Sequence, residues 1–385
     1  MTSRTLGAAF FLAVACAITV PSFALSGRGS AITYLDEQNE RHIWFFTVSK
    51  GDLVSNHFDG SKWTWTEHGR PSRDSENLWS PEAVTYVDNS GRQRIYVFVT
   101  TQDGRLNLRY FNGFQWQWVD QGGLNVYPNS TSSITYVDAD GNRRIYLFGS
   151  GPNGNLVTNY WNGLSWLWAD KGSPPGSDGN SILTAPITYV DGQGTQRIDV
   201  FTRCSVGDNQ RQLCVDSWTG SGWSWFNHGG NQIGEIKVLT FTEASGDRRI
   251  HVFAEAAGNS PQLHSRIGGT WYWINLGKPV AASQPMQGLD SISYTDFAGN
   301  RRMQVFVQFQ DTIWSRAWNG SSWANWTNHG LPSGTSTSNP VALTYWDSRA
   351  GVQRIHLFAG CSTGLCDHVF NGSIWQWQNL GTPEH

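Results

Sequence analysis

From about residue 30 to residue 380 the chain is written in short alternating runs. "VTYVDNSGRQRIYVF" (84–98), "ITYVDADGNRRIYLF" (134–148), "ITYVDGQGTQRIDVF" (187–201) and "ISYTDFAGNRRMQVF" (292–306) each hold two stretches of alternating apolar and polar residues, parted by a glycine-bearing turn. A period of two places the apolar set on one face of a strand. Two such stretches around a tight turn predict a β-hairpin. A third run follows, as in "NLVTNYW" (155–161), and then an Asn-Gly turn opens "NGLSWLWADKG" (162–172), with tryptophan at alternate positions. The segments that connect one such group to the next are rich in Ser, Gly, Pro and Asn, as loops are.

The predicted unit is a four-stranded antiparallel meander, and it recurs. The second tryptophan of the motif stands at Trp65, Trp118, Trp168, Trp225, Trp273, Trp326 and Trp377. Six intervals separate Trp65 from Trp377, with a mean of 52 residues. Two residues beyond each comes an acid or amide, and two further on a glycine, from Gly69 to Gly381. Repeats of this length and strand content predict an all-β fold, a seven-bladed β-propeller with one sequence repeat per blade. The expected blades lie near 31–70, 80–123, 132–173, 185–230, 236–278, 290–331 and 340–382 within a domain of 25–385. Whole repeats fit between the ends, so no strand is expected to be exchanged to close the ring. A linear β-solenoid is the alternative, disfavoured because solenoid repeats are usually shorter. The sixth copy reads "WANW", with Trp323 and Trp326 three apart, which predicts a β-bulge.

Composition adds the compartment. Charged residues make up 15% of the 385 residues, aromatics 14%, and the net charge is −3. Nothing in that balance favours nucleic acid or an anionic membrane surface. Arg4, the apolar stretch from Leu6 to Val20 and the small residues around Ala24 form the pattern of a secretory signal peptide over 1–24. A slowly cleaved anchor is the alternative, although the stretch is short for a membrane span. Cys16 leaves with the signal, and Cys204, Cys214, Cys361 and Cys366 remain. An even number in an oxidising compartment predicts disulfides, and local spacing favours Cys204–Cys214 and Cys361–Cys366. Zinc is the weaker competitor, since neither a second close cysteine pair nor a histidine pair at zinc spacing accompanies "CSTGLC".

The repeated residues carry the candidate chemistry. Residues two apart on a strand share a face, so each tryptophan pair and its acid or amide point the same way. At least one tryptophan per pair is expected to cement neighbouring blades. Asp88, Asp138, Asp191, Glu243 and Asp296 each precede an arginine by six residues, across the hairpin turn. That spacing suits a cross-strand ion pair or a turn cap rather than catalysis. In the first copy Asp36 faces His42 instead. Aromatic residues before the outer turn (Phe58, Phe111, Trp161, Trp218, Trp318, Phe370), with amides, acids and, in three copies, His68, His228 and His329 nearby, suit sugars. A pyranose stacks its C–H face on an indole, and its hydroxyls need planar donors and acceptors.

Seven tandem copies ending in G-x-x-W-x-W-x-x-x-G, behind a secretion signal, resemble the β-propeller lectins of fungi and bacteria: the fucose-binding, N-acetylglucosamine-binding and tectonin-like proteins. The resemblance spans roughly Ala31 to Gly381. It implies sugar sites between adjacent blades, built from Trp63, Trp65 and Glu67; Trp116, Trp118 and Asp120; and Trp166, Trp168 and Asp170. The remaining sets are Trp223, Trp225 and Asn227; Trp271, Trp273 and Asn275; Trp323, Trp326 and Asn328; and Trp375, Trp377 and Asn379. Glycans or glycoproteins are the partners implied, with no cofactor and no metal. The alternatives are a protein-interaction platform, or a propeller glycoside hydrolase or lyase. No singular acid or histidine cluster stands out from the repeat, and no Asp-box, G-x-S-x-G or H-E-x-x-H sequence occurs. Asn129, Asn319 and Asn371 begin glycosylation sequons, and Asn325 a fourth, less well placed within a strand.

Overall fold

The computed structural model describes residues 28–383 apart from 73–76, 175, 178–182, 208–210, 244, 280–285, 310–311 and 331–338. The signal-peptide segment and Cys16 lie outside the described residues. The strands form seven four-stranded antiparallel sheets, each in sequence order, and together they make a seven-bladed β-propeller. Blade one runs from Ser30 to Gly69, blade two from Leu78 to Asp120, blade three from Ser132 to Gly172 and blade four from Thr184 to Gly229. Blade five spans Ile236–Asn275, blade six Met286–Gly330 and blade seven Val341–Gly381. Each sequence repeat is one blade. Both terminal blades take all four strands from their own repeat, so the ring closes by packing alone. Among the described residues no helix is long and apolar enough to cross a membrane.

In blades one, two, three, six and seven the first hairpin is fixed by one carboxylate doing two tasks. In blade two, Asp88 Oδ1 accepts from the amides of Ser90 and Arg92 at 2.9 and 3.0 Å, which caps the turn. Its Oδ2 accepts from Arg94 Nε at 2.7 Å across the hairpin. Asp138 with Arg144 and Asp296 with Arg302 repeat the bond at 2.7 and 2.8 Å. Blade one substitutes His42, 3.1 Å from Asp36. The expected cap and ion pair are therefore the same group.

The core sits between blades. The second strand of every blade carries a phenylalanine no more than 1% exposed: Phe46, Phe98, Phe148, Phe201, Phe253, Phe306 and Phe358. On each lies, edge to face, the first tryptophan of the following blade, with ring centroids 5.6–6.2 Å apart. Trp63 of blade one takes Phe358 of blade seven at 5.9 Å, so the closing joint matches the other six. The innermost strands line the axis. There Arg28 lies 3.2 Å from Glu235, and Lys237 lies 3.6 Å from Asp290. Disulfides Cys204–Cys214 and Cys361–Cys366 each tie the second strand to the third, in blades four and seven.

Candidate functional site

The outer strand explains its own motif. Trp63, Trp65 and Glu67 pair with Phe58, Asn56 and Val54, and the ladder then skips His68 to pair Gly69 with Leu53. The same skip falls on Lys171, His228, His329 and Leu380 in blades three, four, six and seven. A bulge residue leaves the ladder, and its carbonyl is free to bond elsewhere. In every blade that carbonyl accepts from the second tryptophan of the next blade. Trp118 Nε1 donates to His68 O at 3.2 Å, Trp168 to Gln121 O at 3.0 Å and Trp225 to Lys171 O at 3.2 Å. Trp273 donates to His228 O at 3.4 Å, Trp326 to Leu276 O at 3.2 Å and Trp377 to His329 O at 3.0 Å. Trp65 closes the ring on Leu380 O at 2.8 Å.

The glycine ends the bulge with a positive φ, 67° at Gly69 and 73° at Gly172, which a side chain would strain. The acid or amide caps that glycine. Asp120, Asp170, Asn227, Asn275, Asn328 and Asn379 each accept from the amide two residues on, at 2.7–2.9 Å. Only an acceptor oxygen is required, so Asp and Asn are interchangeable. Asp120→Asn should change unfolding free energy by less than about 0.5 kcal/mol, whereas Asp120→Ala should cost about 1 kcal/mol. Urea denaturation of the two variants checks this.

Both tryptophans of every motif are half-buried, and the seven acids and amides are exposed. The sixth blade loops Ala324 and Asn325 out as exposed residues, which lets Trp323 and Trp326 keep both joints. The aromatics of the outer turn prop the first tryptophan of their own blade: Phe58 on Trp63 at 5.4 Å, Trp161 on Trp166 at 5.8 Å. His68 and His329 face inward, bonded to Ser55 at 2.9 Å and Ser315 at 2.7 Å. Burial pushes their imidazoles down to about 3 and about 4. Of the sequons, Asn129 is half-buried and accepts from Ser80 of the neighbouring blade. Asn319 and Asn371 cap their own outer turns.

Clefts open between neighbouring blades at the end that bears the hairpin turns. The cleft between blades seven and one holds about 690 Å³ and the one between five and six about 830 Å³. A hollow of about 390 Å³ lies at that end between two and three, and one of about 220 Å³ between six and seven lies deeper in the joint, lined by Gln304, Ser315, Ala324, Asn325 and His329 and by none of the turn residues. In the first, Arg41 lies 4.3 Å over the Tyr345 ring, Arg349 grips Glu40 with two bonds of 2.7 Å, and Trp63 forms a wall. Burial holds the Arg41 guanidinium below its usual value. Between five and six, Arg301 lies 4.7 Å over Phe241, beside Trp318 and Trp323. Arg143 over Tyr86 and Arg248 over Tyr189 repeat the pairing at 4.4 and 5.1 Å. The first tryptophans Trp63, Trp323 and Trp375 border clefts, as does the second tryptophan Trp377 in the cleft between seven and one, whereas the acid and amide series stands at the opposite end of the ring. The stacked arginines were not singled out from the sequence. The signal was present, in the alternation of Arg and Gln before the repeated Arg of the second strand. Among the described residues no group of three or more potential ligands could hold a metal ion.

No protein-family model matches the chain, and no curated protein matches it. Solved lectins are among the structures with a similar fold. The Burkholderia pseudomallei lectin BP39L aligns with a TM-score of 0.67 at 16% identity, over 94% of this chain and 100% of that one. The Aleuria aurantia lectin, described as a six-bladed β-propeller with a novel fucose recognition mode, aligns at 0.52 and 17% identity over 81% and 99%. AofleA of Arthrobotrys oligospora aligns at 0.53 and 12% identity over 77% and 84%. The likeness is one of β-propeller fold, with seven blades here where the Aleuria aurantia lectin has six.

Proposed function

We propose that the protein is a secreted, multivalent carbohydrate-binding lectin whose shallow sites lie between adjacent blades. The observation that carries this reading is the cleft itself. It offers a half-buried indole for a sugar's apolar face and, beside it, planar donors and acceptors for hydroxyls: Arg41, Glu40, Arg349 and Asn371 in the joint between blades seven and one. The sugar-binding role then falls on the first tryptophans, with Trp65 and its counterparts and the acid or amide series holding the ring. Two disulfides are compatible with an oxidising compartment, and a glycan on the exposed turn at Asn319 is compatible with secretion.

A shallow site binds weakly, and repetition around a ring restores affinity. Binding to a densely printed glycan array should exceed the affinity for the same free monosaccharide by about 10²–10⁴. Array binding paired with calorimetry on the free sugar measures the ratio. Absence of binding to every glycan printed would overturn the reading and favour a platform for protein partners, and hydrolysis of chromogenic glycosides would replace it with an enzyme.

A further inference from the structure

The seven joints between blades share one frame and differ in one place. Two residues before the buried phenylalanine, the second strand carries Trp44, Tyr96 and Tyr146 in blades one to three. Opposite them on the third strand stand His57, Tyr110 and Tyr160. These rings stack. Trp44 lies 3.7 Å from His57, Tyr96 4.7 Å from Tyr110, and Tyr146 5.2 Å from Tyr160, centroid to centroid. Tyr86 and Tyr136 of the first strand add a third ring to the last two stacks, at 5.8 and 6.1 Å.

Blades five, six and seven invert the chemistry. The same second-strand place holds His251, Gln304 and His356, and the third strand opposite holds Ser265, Ala317 and Val369. In blades five and seven an imidazole still stacks on the first-strand ring, Phe241 at 5.3 Å and Tyr345 at 5.7 Å, and in blade six an amide stands there, but in all three the third-strand neighbour is no longer a ring. The cavities follow. His251 and Ser265 line the cleft between five and six, Gln304 and Ala317 that between six and seven, and His356 and Val369 that between seven and one. The hollow between two and three is walled by Tyr86, Arg143 and Trp161, with neither Tyr96 nor Tyr110 reached, so it is a mouth above a closed stack. Blade four stands at the border: Asp199 is buried and accepts from the Tyr189 hydroxyl at 2.9 Å.

We propose that carbohydrate binding is confined to one arc of the ring, the clefts between blades five and six, six and seven, and seven and one. His251, Gln304 and His356 supply hydrogen-bonding floors, and aromatic stacks close the clefts of blades one to three. The inference rests on the lectin reading and goes beyond it in number and place. A sugar ring needs depth as well as an indole wall, because its hydroxyls must find partners once water is displaced. The open clefts provide both. Ser265 Oγ holds His251 Nδ1 at 2.7 Å, and the buried His251 Nε2 has no hydrogen-bond partner, which leaves it for a ligand hydroxyl. Gln304 is held at 2.8 Å by Ser315, and His356 at 2.8 Å by Asp367, so each floor is fixed in orientation.

The test is titration calorimetry with methyl glycosides of glucose, galactose, mannose, fucose and N-acetylglucosamine. The glycoside that binds should do so at about three sites per chain. Ser265→Tyr places a ring where blade two has Tyr110 and should lower the stoichiometry to about two, while Tyr96→His with Tyr110→Ser opens a stack and should raise it to about four. A crystal of the unaltered protein soaked in the same glycoside locates the occupied clefts without any substitution. Binding by none of the glycosides overturns the lectin reading and this inference with it. Seven equivalent sites, sugar density over Tyr96 or Tyr146, or an unchanged stoichiometry in folded Ser265→Tyr overturns the arc alone.

Discussion

Trp116→Ala should lower the free energy of unfolding by about 3–5 kcal/mol, the range for deleting a large aromatic from a packed interior. The ring contacts four others at once: Phe46, Trp44 and His68 of blade one and Phe111 of its own blade, with centroids 4.7–6.1 Å away. Its removal leaves a void between two sheets that share no covalent link at that depth and cannot collapse without shifting a blade. Trp118→Phe should cost far less, about 1 kcal/mol, because it deletes one hydrogen bond to His68 O and keeps most of the packing. The contrast separates the two tryptophans of a motif that reads as a symmetric pair. Because the joint between blades seven and one is built like the rest, Trp63→Ala should fall in the same range as Trp116→Ala. Denaturant unfolding followed by circular dichroism measures all three. A Trp63→Ala protein that unfolds at the original midpoint and only loses ligand would show that this indole serves the sugar and not the ring.

Much of this was legible in the sequence because the fold is local. Hairpins, turns and repeat length are properties of neighbouring residues, and a ring of repeats needs no long-range pairing to be recognised. The face shared by Trp63, Trp65 and Glu67 follows from alternation alone, and so does the cross-strand partnership of Asp88 with Arg94. What stayed hidden lies between repeats. That one tryptophan packs on a phenylalanine about seventy residues earlier, and the other bonds a bulged carbonyl in the previous blade, requires the stacking of sheets, which no single repeat encodes. The bulge also conceals His68 and His329. A strict period of two continues past Glu67 without an extra residue, and one skipped position changes the side chain's surroundings. The cleft floors were hidden for the same reason. The column from Trp44 to His356 varies openly, but its meaning depends on the tryptophan that the next blade lays beside it.

Stability should fall steeply as pH is lowered from about 7 to about 5, well before ordinary carboxylates titrate. His68 and His368 are held down to about 3, and His251, His264 and His329 to about 4, in each case chiefly because burial disfavours the charged imidazole. All five are buried between or within blades. Their folded values lie below the unfolded value of about 6.5, so protons bind the unfolded chain first as pH drops through that value. Each then costs about 2 kcal/mol of stability by pH 5, and the loss continues until the folded group itself titrates. Four carboxyls oppose the trend. Burial raises Glu82 and Asp216 to about 7, and lifts Glu235 and Glu255 as well, so these groups take up a proton in the folded state and stabilise it as pH falls. Lys237 and Arg28 beside Glu82 and Glu235, and Lys171 beside Asp216, temper that gain by favouring the charged carboxylate. The histidines outnumber the carboxyls, and His57 and His228, both held to about 4, add to their side. Thermal melts across the range measure the net slope. His68→Gln combined with His329→Gln keeps a side chain able to bond Ser55 and Ser315 but removes two of the titrating groups, so the loss between pH 7.5 and 5 should shrink by about 4 kcal/mol. An unchanged slope in that double variant would mean that His68 and His329 carry none of the ring's acid sensitivity.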